Sequence, residues 1–321
     1  MSSQVSTEDD PQRRLRLYAR RDESGEVRGT FLIRDGALLA LWEESGLGEE
    51  VALPLPEGAL PAVFRRYGKP LEDAGFANGF STRLGGVSPF PDGDLNLAGF
   101  NEDTAENIYE NRRRFLSVFD GEYKLAMVWQ VHGSDIKAVR DMGDIGDSEE
   151  NADAVISNVP GVLAGAKTAD CVPVLIGDPR TGAFAAVHAG WRGTVRSIVS
   201  KTVAALGAEF GSDPADLIAA VGPAACGRNY EIGQDVIDDF AASFADSGRY
   251  FEPTRPGHAL VDLHAANRDQ LIAAGVGEER IFTAPYCTME RLDLFFSYRK
   301  EKKTNGKTGR LLSVIGQRQP G

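Results

Sequence analysis

The sequence predicts an α+β fold built on a mixed sheet. Short apolar runs of strand length recur through the chain, and amphipathic stretches of helical period lie among them. The two do not alternate in the regular strand–helix–strand rhythm that a doubly wound parallel sheet requires. With 321 residues, 42% of them hydrophobic and 26% charged, the chain has the composition of a globular protein and can bury a substantial core in one large or two ordinary domains.

Taken in order, residues 1–14 are polar and acidic and are expected to form a disordered tail. Residues 15–75 predict a β-rich N-terminal extension packed on the main domain. Within it, LRLYAR and GTFLIRDGALLALWEE are short apolar runs separated by glycine-containing turns, and LPLPEGALP is a proline-spaced connector. The main domain is expected over 76–321. There LAMVWQVHG predicts a strand and its turn, and GVLAGAKTADCVPVLIGD one or two buried strands. AFAAVH is a short strand followed by AGWRG as a tight turn. TVRSIVSKTVAALG carries apolar residues at 195, 198, 199, 203 and 206, a helical period, with Gly207 as its stop. DLIAAVGP reads as a strand, EIGQDVIDDFAASF and DLHAANRDQLIAAGV as helices, and RLLSVIGQ as a final strand.

Charge narrows the function classes. Acids outnumber bases 47 to 35, for a net charge of −12, which argues against a nucleic-acid partner and against adhesion to an anionic membrane. No apolar run is long enough to span a bilayer, and the N-terminal residues have no signal-peptide pattern. The three cysteines, Cys171, Cys226 and Cys287, are too few for a disulfide framework and fit a reducing, cytoplasmic setting. The acidic run at 141–153, six acids and no base, is expected to be a solvated loop.

Four histidines occur in all: His132, His188, His258 and His264. His132, Cys171 and His188 each fall at a strand end beside Gly or Asp, where active-site groups are commonly presented. If they converge they form a His₂Cys donor set with a fourth position open, the pattern of a catalytic zinc site; otherwise Cys171 is a small buried apolar residue. The turn AGWRGT precedes a helix and offers Arg192 and Trp191 to an anion, or is an ordinary turn with Trp191 in the core. Arg83, beside the glycine pair of FSTRLGGVS, reaches a cleft or solvent. Arg299, expected to follow an aromatic strand in FFSYRK, grips an anion or lies on a sheet edge. The GKT of NGKTG lacks the first glycine of a phosphate-binding loop, since position 301 is Glu301.

Seven segments in collinear order, WQVHGSDI, ADAVISNVPG, TADCVPVLIGD, AAVHAGWRG, AAVGPAACGRNYEIG, PYCTME and FFSYR, resemble the YfiH-like family, with FSTRLGGVS and LNLA fitting its N-terminal part. That family is variously labelled polyphenol oxidase, laccase-domain protein and purine nucleoside phosphorylase. The resemblance covers roughly 76–316. It implies an αββα sandwich and a zinc or catalytic site at His132 of QVHG, Cys171 of ADCVP and His188 of HAGWRG. It also implies phosphorolysis of adenosine, inosine and methylthioadenosine, with an accompanying adenosine deaminase activity. The partners are then a purine nucleoside and phosphate, with Arg83, Arg192 and Arg299 as anion-binding candidates. In PAACGRNY the chain carries one cysteine, Cys226, where many members have two.

Two other chemistries compete. A copper-dependent polyphenol oxidase needs centres rich in imidazole, for which four histidines are too few. A Cys–His hydrolase, with Cys171 as nucleophile and His188 or His132 as base, satisfies a general catalytic pattern; editing of cell-wall precursors is an activity the resemblance also suggests. Deaminases that hold zinc commonly use a glutamate two residues after the ligand histidine. Gly190 and Ser134 stand at those positions here, leaving Asp170 as the candidate acid or base by adjacency alone.

Overall fold

The computed structural model describes residues 69–89, 94–97, 103–119, 121–146 and 150–319, together with the backbone of four short strands nearer the N-terminus. The tail expected at 1–14 lies outside the described residues. Strands β1 (Arg16–Arg21), β2 (Val27–Ile33) and β3 (Glu49–Val51) pair antiparallel in the order β2-β1-β3.

Two larger sheets form the body. One has five strands in the order β4 (Val63–Phe64), β5 (Phe76–Ser81), β17 (Leu311–Gln317), β9 (Val162–Thr168) and β6 (Lys124–Ala126). The other has six, in the order β16 (Ile281–Thr283), β12 (Ile218–Val221), β10 (Val172–Gly177), β11 (Phe184–Ala189), β8 (Ala154–Ser157) and β7 (Ile136–Val139). Each is mixed: β6 runs parallel to β9, β7 to β8 and β12 to β16, and the other pairings are antiparallel. The expected α+β class with mixed sheets is the class observed. A small sheet of β13 (Glu231–Gly233), β15 (His258–Val261) and β14 (Phe251–Arg255) completes the strands.

The layering follows from side-chain alternation. Along β10, Leu175 faces the five-stranded sheet, while Val172, Val174 and Ile176 face a helical layer. Along β9, Val162, Ala164 and Ala166 face the six-stranded sheet and Leu163 faces the opposite side. Because both faces of these strands are covered, they read in the sequence as continuous apolar runs. On the outer face of the six-stranded sheet lie α4 (Ile198–Phe210), through Ile198, Val199, Val203 and Leu206, and α6 (Leu263–Ala273), through Leu263, Ala266 and Leu271. On the outer face of the five-stranded sheet Phe115 of α2 (Ala105–Leu116) packs with Leu163, Leu312 and Val314. The result is the αββα sandwich implied by the resemblance. The short helix α1 (Lys69–Asp73) adds the fully buried Leu71 to the core between the sheets, so this helix belongs to the same packed body.

Several local expectations change. AGWRG is the start of a five-residue helix, α3 (Trp191–Val195), and α4 begins only after Ser197, which is left-handed at φ 59°. Gly207 does not stop α4. The helix-favouring Ala208 and Glu209 carry it on to Phe210, and Gly211, at φ 70°, closes it. EIG is strand β13, and the helix behind it, α5 (Gln234–Ser243), starts at Gln234. FFSYRK is no strand: the Ser297 side chain accepts from Lys300 N and caps α7 (Tyr298–Asn305), which places Arg299 in a first helical turn.

Candidate metal centre and its cavity

The site forms where the chain passes from one large sheet to the other. β9 ends at Thr168 and β10 starts at Val172, so Ala169–Cys171 bridge the two sheets. Asp170, at φ 85°, makes the turn that delivers Cys171 to the end of the sandwich. Next to it, β11 presents His188, which pairs in register with Pro173. His132 comes from the irregular segment after β6 and is itself left-handed, at φ 57°.

The three converge. One ligand atom from each of His132, Cys171 and His188 lies within 4.8 Å of the others, and the two imidazoles stand edge to face with ring centroids 4.8 Å apart. Gly190 makes room for them: a Cβ there would lie 3.0 Å from Cys171 Sγ and 2.9 Å from His132 Cδ2. The glycine of HAGWRG thus keeps open the space around the donor atoms.

Asp153 organises this cluster, and the sequence reading missed it. Its buried carboxylate lies 2.8 Å from His188 Nδ1 and accepts backbone N–H bonds from Val131, His132 and Gly133 at 3.2, 3.0 and 2.6 Å. The first contact turns His188 Nε2 towards Cys171; the other three fix the backbone turn that carries His132. A carboxylate behind a ligating histidine is the usual support of a metal site. Asp153 ends the acidic run at 141–153, so charge counting assigns it to solvent. The available signal was its place directly before the apolar strand Ala154–Ser157.

The electrostatics suit a charged donor set. Burial, which by itself raises a thiol, is overcome at Cys171 by His188 and His132, and the thiol is held down to about 6. Burial likewise opposes protonation of His188, but the Cys171 sulfur and Asp153 outweigh it and push the imidazole up to about 9. Cys171 is therefore a thiolate at neutral pH, the form that binds a metal or attacks an electrophile.

A cavity of about 530 Å³ opens over the cluster, within the roughly 300–1,000 Å³ range of small-molecule sites. Trp129, Trp191, Tyr230 and Tyr298 supply ring surface to it, and Lys167, Arg192, Arg299 and Arg310 supply cations. Arg299 lies over Tyr230 at 4.6 Å, and its Nη1 donates to Glu231 O at 2.8 Å. Arg192 lies over its neighbour Trp191 at 4.3 Å. From α6, Asn267 and Gln270 brace α3: the Asn267 amide donates to Thr194 Oγ1 at 3.0 Å and the Gln270 amide to Thr194 O at 2.8 Å. Lys167 was also missed. Burial first, then Arg112 and Arg310, lowers its ammonium to about 8.

Arg83 is not brought into this cavity. It is buried, donating to Asp94 through Nη2 at 2.7 Å and to Glu301 through Nη1 at 3.0 Å. Glu301 in turn accepts from Ser297 N at 2.8 Å, so Arg83 braces the start of α7, which carries Arg299. Asp170 is committed as well. Its carboxylate accepts from Thr288 Oγ1 at 2.6 Å, Ser297 Oγ at 3.0 Å and Arg299 N at 2.7 Å. Burial raises its pKa despite those bonds. Its adjacency to Cys171 therefore reflects a structural tie between the β9–β10 turn and α7. His258 and His264 stand apart, with ring nitrogens against Pro256 O at 3.2 Å and Gly222 O at 3.0 Å.

Fold and cluster together define the class: an αββα protein with a His₂Cys donor set at the seam of its two sheets. The chain belongs to the multi-copper polyphenol oxidoreductase laccase family, whose model matches residues 77–318, the family that holds the YfiH proteins it resembles. It is 38% identical over 238 residues to a Deinococcus radiodurans protein named purine nucleoside phosphorylase, covering 74% of this chain and 87% of that one. It is 36% identical over 237 residues to purine nucleoside phosphorylase YfiH of Escherichia coli, covering 73% of this chain and 91% of the relative. Among solved structures, YfiH of Bacillus licheniformis superposes with a TM-score of 0.72 at 28% identity, over 80% of this chain and 96% of that one. YlmD of Geobacillus stearothermophilus superposes with a TM-score of 0.71 at 33% identity, over 77% and 93%. Among the described residues, no helix is long and apolar enough to cross a membrane.

Proposed function

We propose that this protein is a purine nucleoside phosphorylase acting on adenosine, inosine and methylthioadenosine, with a zinc ion held by His132, Cys171 and His188. The observation that carries the reading is the single cavity in which that donor set lies beside four cationic side chains and four aromatic rings. Zinc fits the donors better than a copper cluster: a soft thiolate and two imidazoles make one three-ligand set with a fourth position open, and the two remaining histidines are engaged elsewhere.

In phosphorolysis an oxygen of phosphate bonds to the ribose C1′ as the C1′–N bond breaks; the base leaves with the bonding pair and is protonated. Arg192, Arg299, Arg310 and Lys167 would neutralise and orient the phosphate, since charge-assisted hydrogen bonds are the strong ones. The rings of Trp129, Trp191, Tyr230 and Tyr298 would hold the flat base. When bound, zinc would supply Lewis acidity and a water of lowered pKa, the chemistry that deamination of adenosine needs. Asp170 is the acidic residue lining the cavity, and its carboxylate is already hydrogen-bonded, so deamination would draw its proton carrier from another group. With its free cysteines the enzyme suits the reducing cytoplasm.

The test is a product assay on each nucleoside with and without phosphate, paired with elemental analysis. Expected are the sugar 1-phosphate (ribose 1-phosphate, or its 5-methylthio form from methylthioadenosine) and free base only when phosphate is present, with zinc in the active protein. Base release without phosphate, or copper in place of zinc in the active protein, overturns the reading.

Arg299→Ala is expected to raise the KM for phosphate roughly tenfold or more, the equivalent of one lost charge-assisted bond, with metal content unchanged. Arg83→Ala acts differently: it removes the guanidinium that neutralises the buried carboxylates of Asp94 and Glu301 and lowers stability by about 3–5 kcal/mol in denaturant unfolding.

Lys167 predicts a pH dependence. Its ammonium is charged below about 8 and neutral above. Phosphate affinity should therefore be full at pH 7 and fall as pH rises through 8. Lys167→Met should weaken phosphate binding at pH 7 and flatten that limb of the KM profile. A limb that persists in the variant would assign the titration to another group.

One specific observation favours a second reading. Cys171, His188 and Asp153 form a thiolate, an imidazole and a supporting carboxylate in line, the arrangement of a Cys–His hydrolase.

A further inference from the structure

The other two cysteines meet away from this cavity. Cys226 lies in the loop after β12 and Cys287 in the loop after β16, and the parallel bridge between Ala224 and Cys287 draws the loops together. One atom each from Cys226, Cys287 and Glu290 lies within 4.8 Å of the others. Two metal–sulfur bonds of about 2.3 Å at a tetrahedral angle put their sulfurs about 3.8 Å apart, so this spacing is of the right order for one shared ion.

The centre of the group is marked by a second observation. The Asn229 side-chain nitrogen sits among all three atoms, 3.2 Å from Cys226 Sγ, 3.6 Å from Cys287 Sγ and 2.6 Å from Glu290 Oε1. A partly positive N–H₂ group thus occupies the place where three electron-rich atoms would grip a cation. Turning that amide over presents Oδ1 instead, a fourth donor. Around this set, Cys226 N donates to Cys287 Sγ at 3.2 Å, and Arg228 Nε donates to Glu290 Oε1 at 2.6 Å. Such N–H contacts to sulfur and carboxylate orient ligands from behind. Cys226 is half-buried and Glu290 exposed, so an ion can enter, while Cys287 is buried and fixed.

We propose that Cys226, Cys287 and Glu290 form a second site, structural in role, for a thiophilic divalent cation such as Zn²⁺. Two thiolates and a carboxylate select a soft ion over Mg²⁺ or Ca²⁺. The site would act on the cavity through Asp170. Ala225, next to Cys226, donates its N–H to Asp170 O at 2.9 Å, and Thr288, next to Cys287, donates its hydroxyl to Asp170 Oδ1 at 2.6 Å. An ion joining the two loops would hold both bonds in place, and Asp170 directly precedes Cys171.

The chain has three cysteines, which makes the test clean. In Cys171→Ser, kept reduced, Cys226 and Cys287 are the only thiols. Titrated with Co²⁺, this variant should give thiolate-to-cobalt charge-transfer absorbance saturating at one ion per chain. Adding Cys226→Ser, or separately the surface change Glu290→Gln, should weaken that binding about tenfold or more, with far-UV circular dichroism unchanged. If Cys171→Ser is unstable, native mass spectrometry of zinc-loaded full-length protein serves instead: two ions are expected in the wild type and one in Cys226→Ser. No charge-transfer band in Cys171→Ser, equal affinity in the Glu290→Gln background, or the same zinc count in the reduced wild type and Cys226→Ser overturns the proposal.

Discussion

Cys171→Ser is expected to lose zinc from the His132–Cys171–His188 site and nucleoside turnover together. A neutral hydroxyl of nearly the same size replaces a thiolate that the two imidazoles hold ionised near pH 6, and a hydroxyl is a poor zinc ligand. Loss of a supporting residue at a metal site already costs roughly 10–100-fold, so removal of a direct ligand should exceed that range in kcat/KM. Zinc content at this site and turnover, measured on the same preparation, should fall in parallel. Alkylation separates the phosphorylase from the hydrolase reading. Zinc over Cys171 should protect it from iodoacetamide, and chelation should expose it. If native zinc-loaded protein is inactivated as fast as the chelated form, and base release needs no phosphate, Cys171 is the nucleophile.

Asp153→Asn should have the second largest effect, although Asp153 itself is no ligand. Its two oxygens serve four donors: His188 Nδ1 and the amides of Val131, His132 and Gly133. An asparagine keeps one oxygen and turns an N–H₂ group onto donors that it cannot satisfy. Leaving such buried donors unpaired costs about 1–3 kcal/mol each. Zinc affinity in chelator competition should fall roughly 10–100-fold, and the thermal midpoint should drop with it. The imidazole also loses the carboxylate that helps keep it protonated in the metal-free protein, so His188 should titrate below its wild-type value of about 9 when followed by NMR. A lower midpoint with unchanged zinc affinity would make Asp153 a fold-stabilising residue only.

Much of the donor set was legible because it sits in contiguous motifs. QVHG, ADCVP and HAGWRG each put a chemically distinctive residue beside a small or acidic one, and the resemblance joined them, although QVHG lies in an irregular segment after β6 rather than at a strand end. The arginines were less legible. A guanidinium beside a glycine pair looks the same whether it points into a cleft or into the core. Only the positions of Asp94 and Glu301, 11 and 218 residues from Arg83, decide that it is spent on internal ion pairs. Lys167 stayed hidden within an apolar run. Its depressed ammonium arises from burial and from Arg112 and Arg310, which come from distant parts of the chain.

The sequence by itself determined what depends on local period and composition. The doubly covered strands of the two sheets read as unbroken apolar runs, α4 shows its buried face in the spacing of Ile198, Val199, Val203 and Leu206, and the lack of a βαβ rhythm excludes a doubly wound sheet. Tertiary structure alone decided what depends on long-range meeting. Whether AGWRG is a turn or a short helix is settled by Asn267 and Gln270 on α6, which bind Thr194 across more than 70 residues. Asp153 becomes the support of His188 because β8 and β11 pair side by side, which buries a carboxylate that the acidic run had assigned to water. Hydrophobic period is a property of neighbours along the chain, whereas hydrogen-bond partners and burial are properties of neighbours in space.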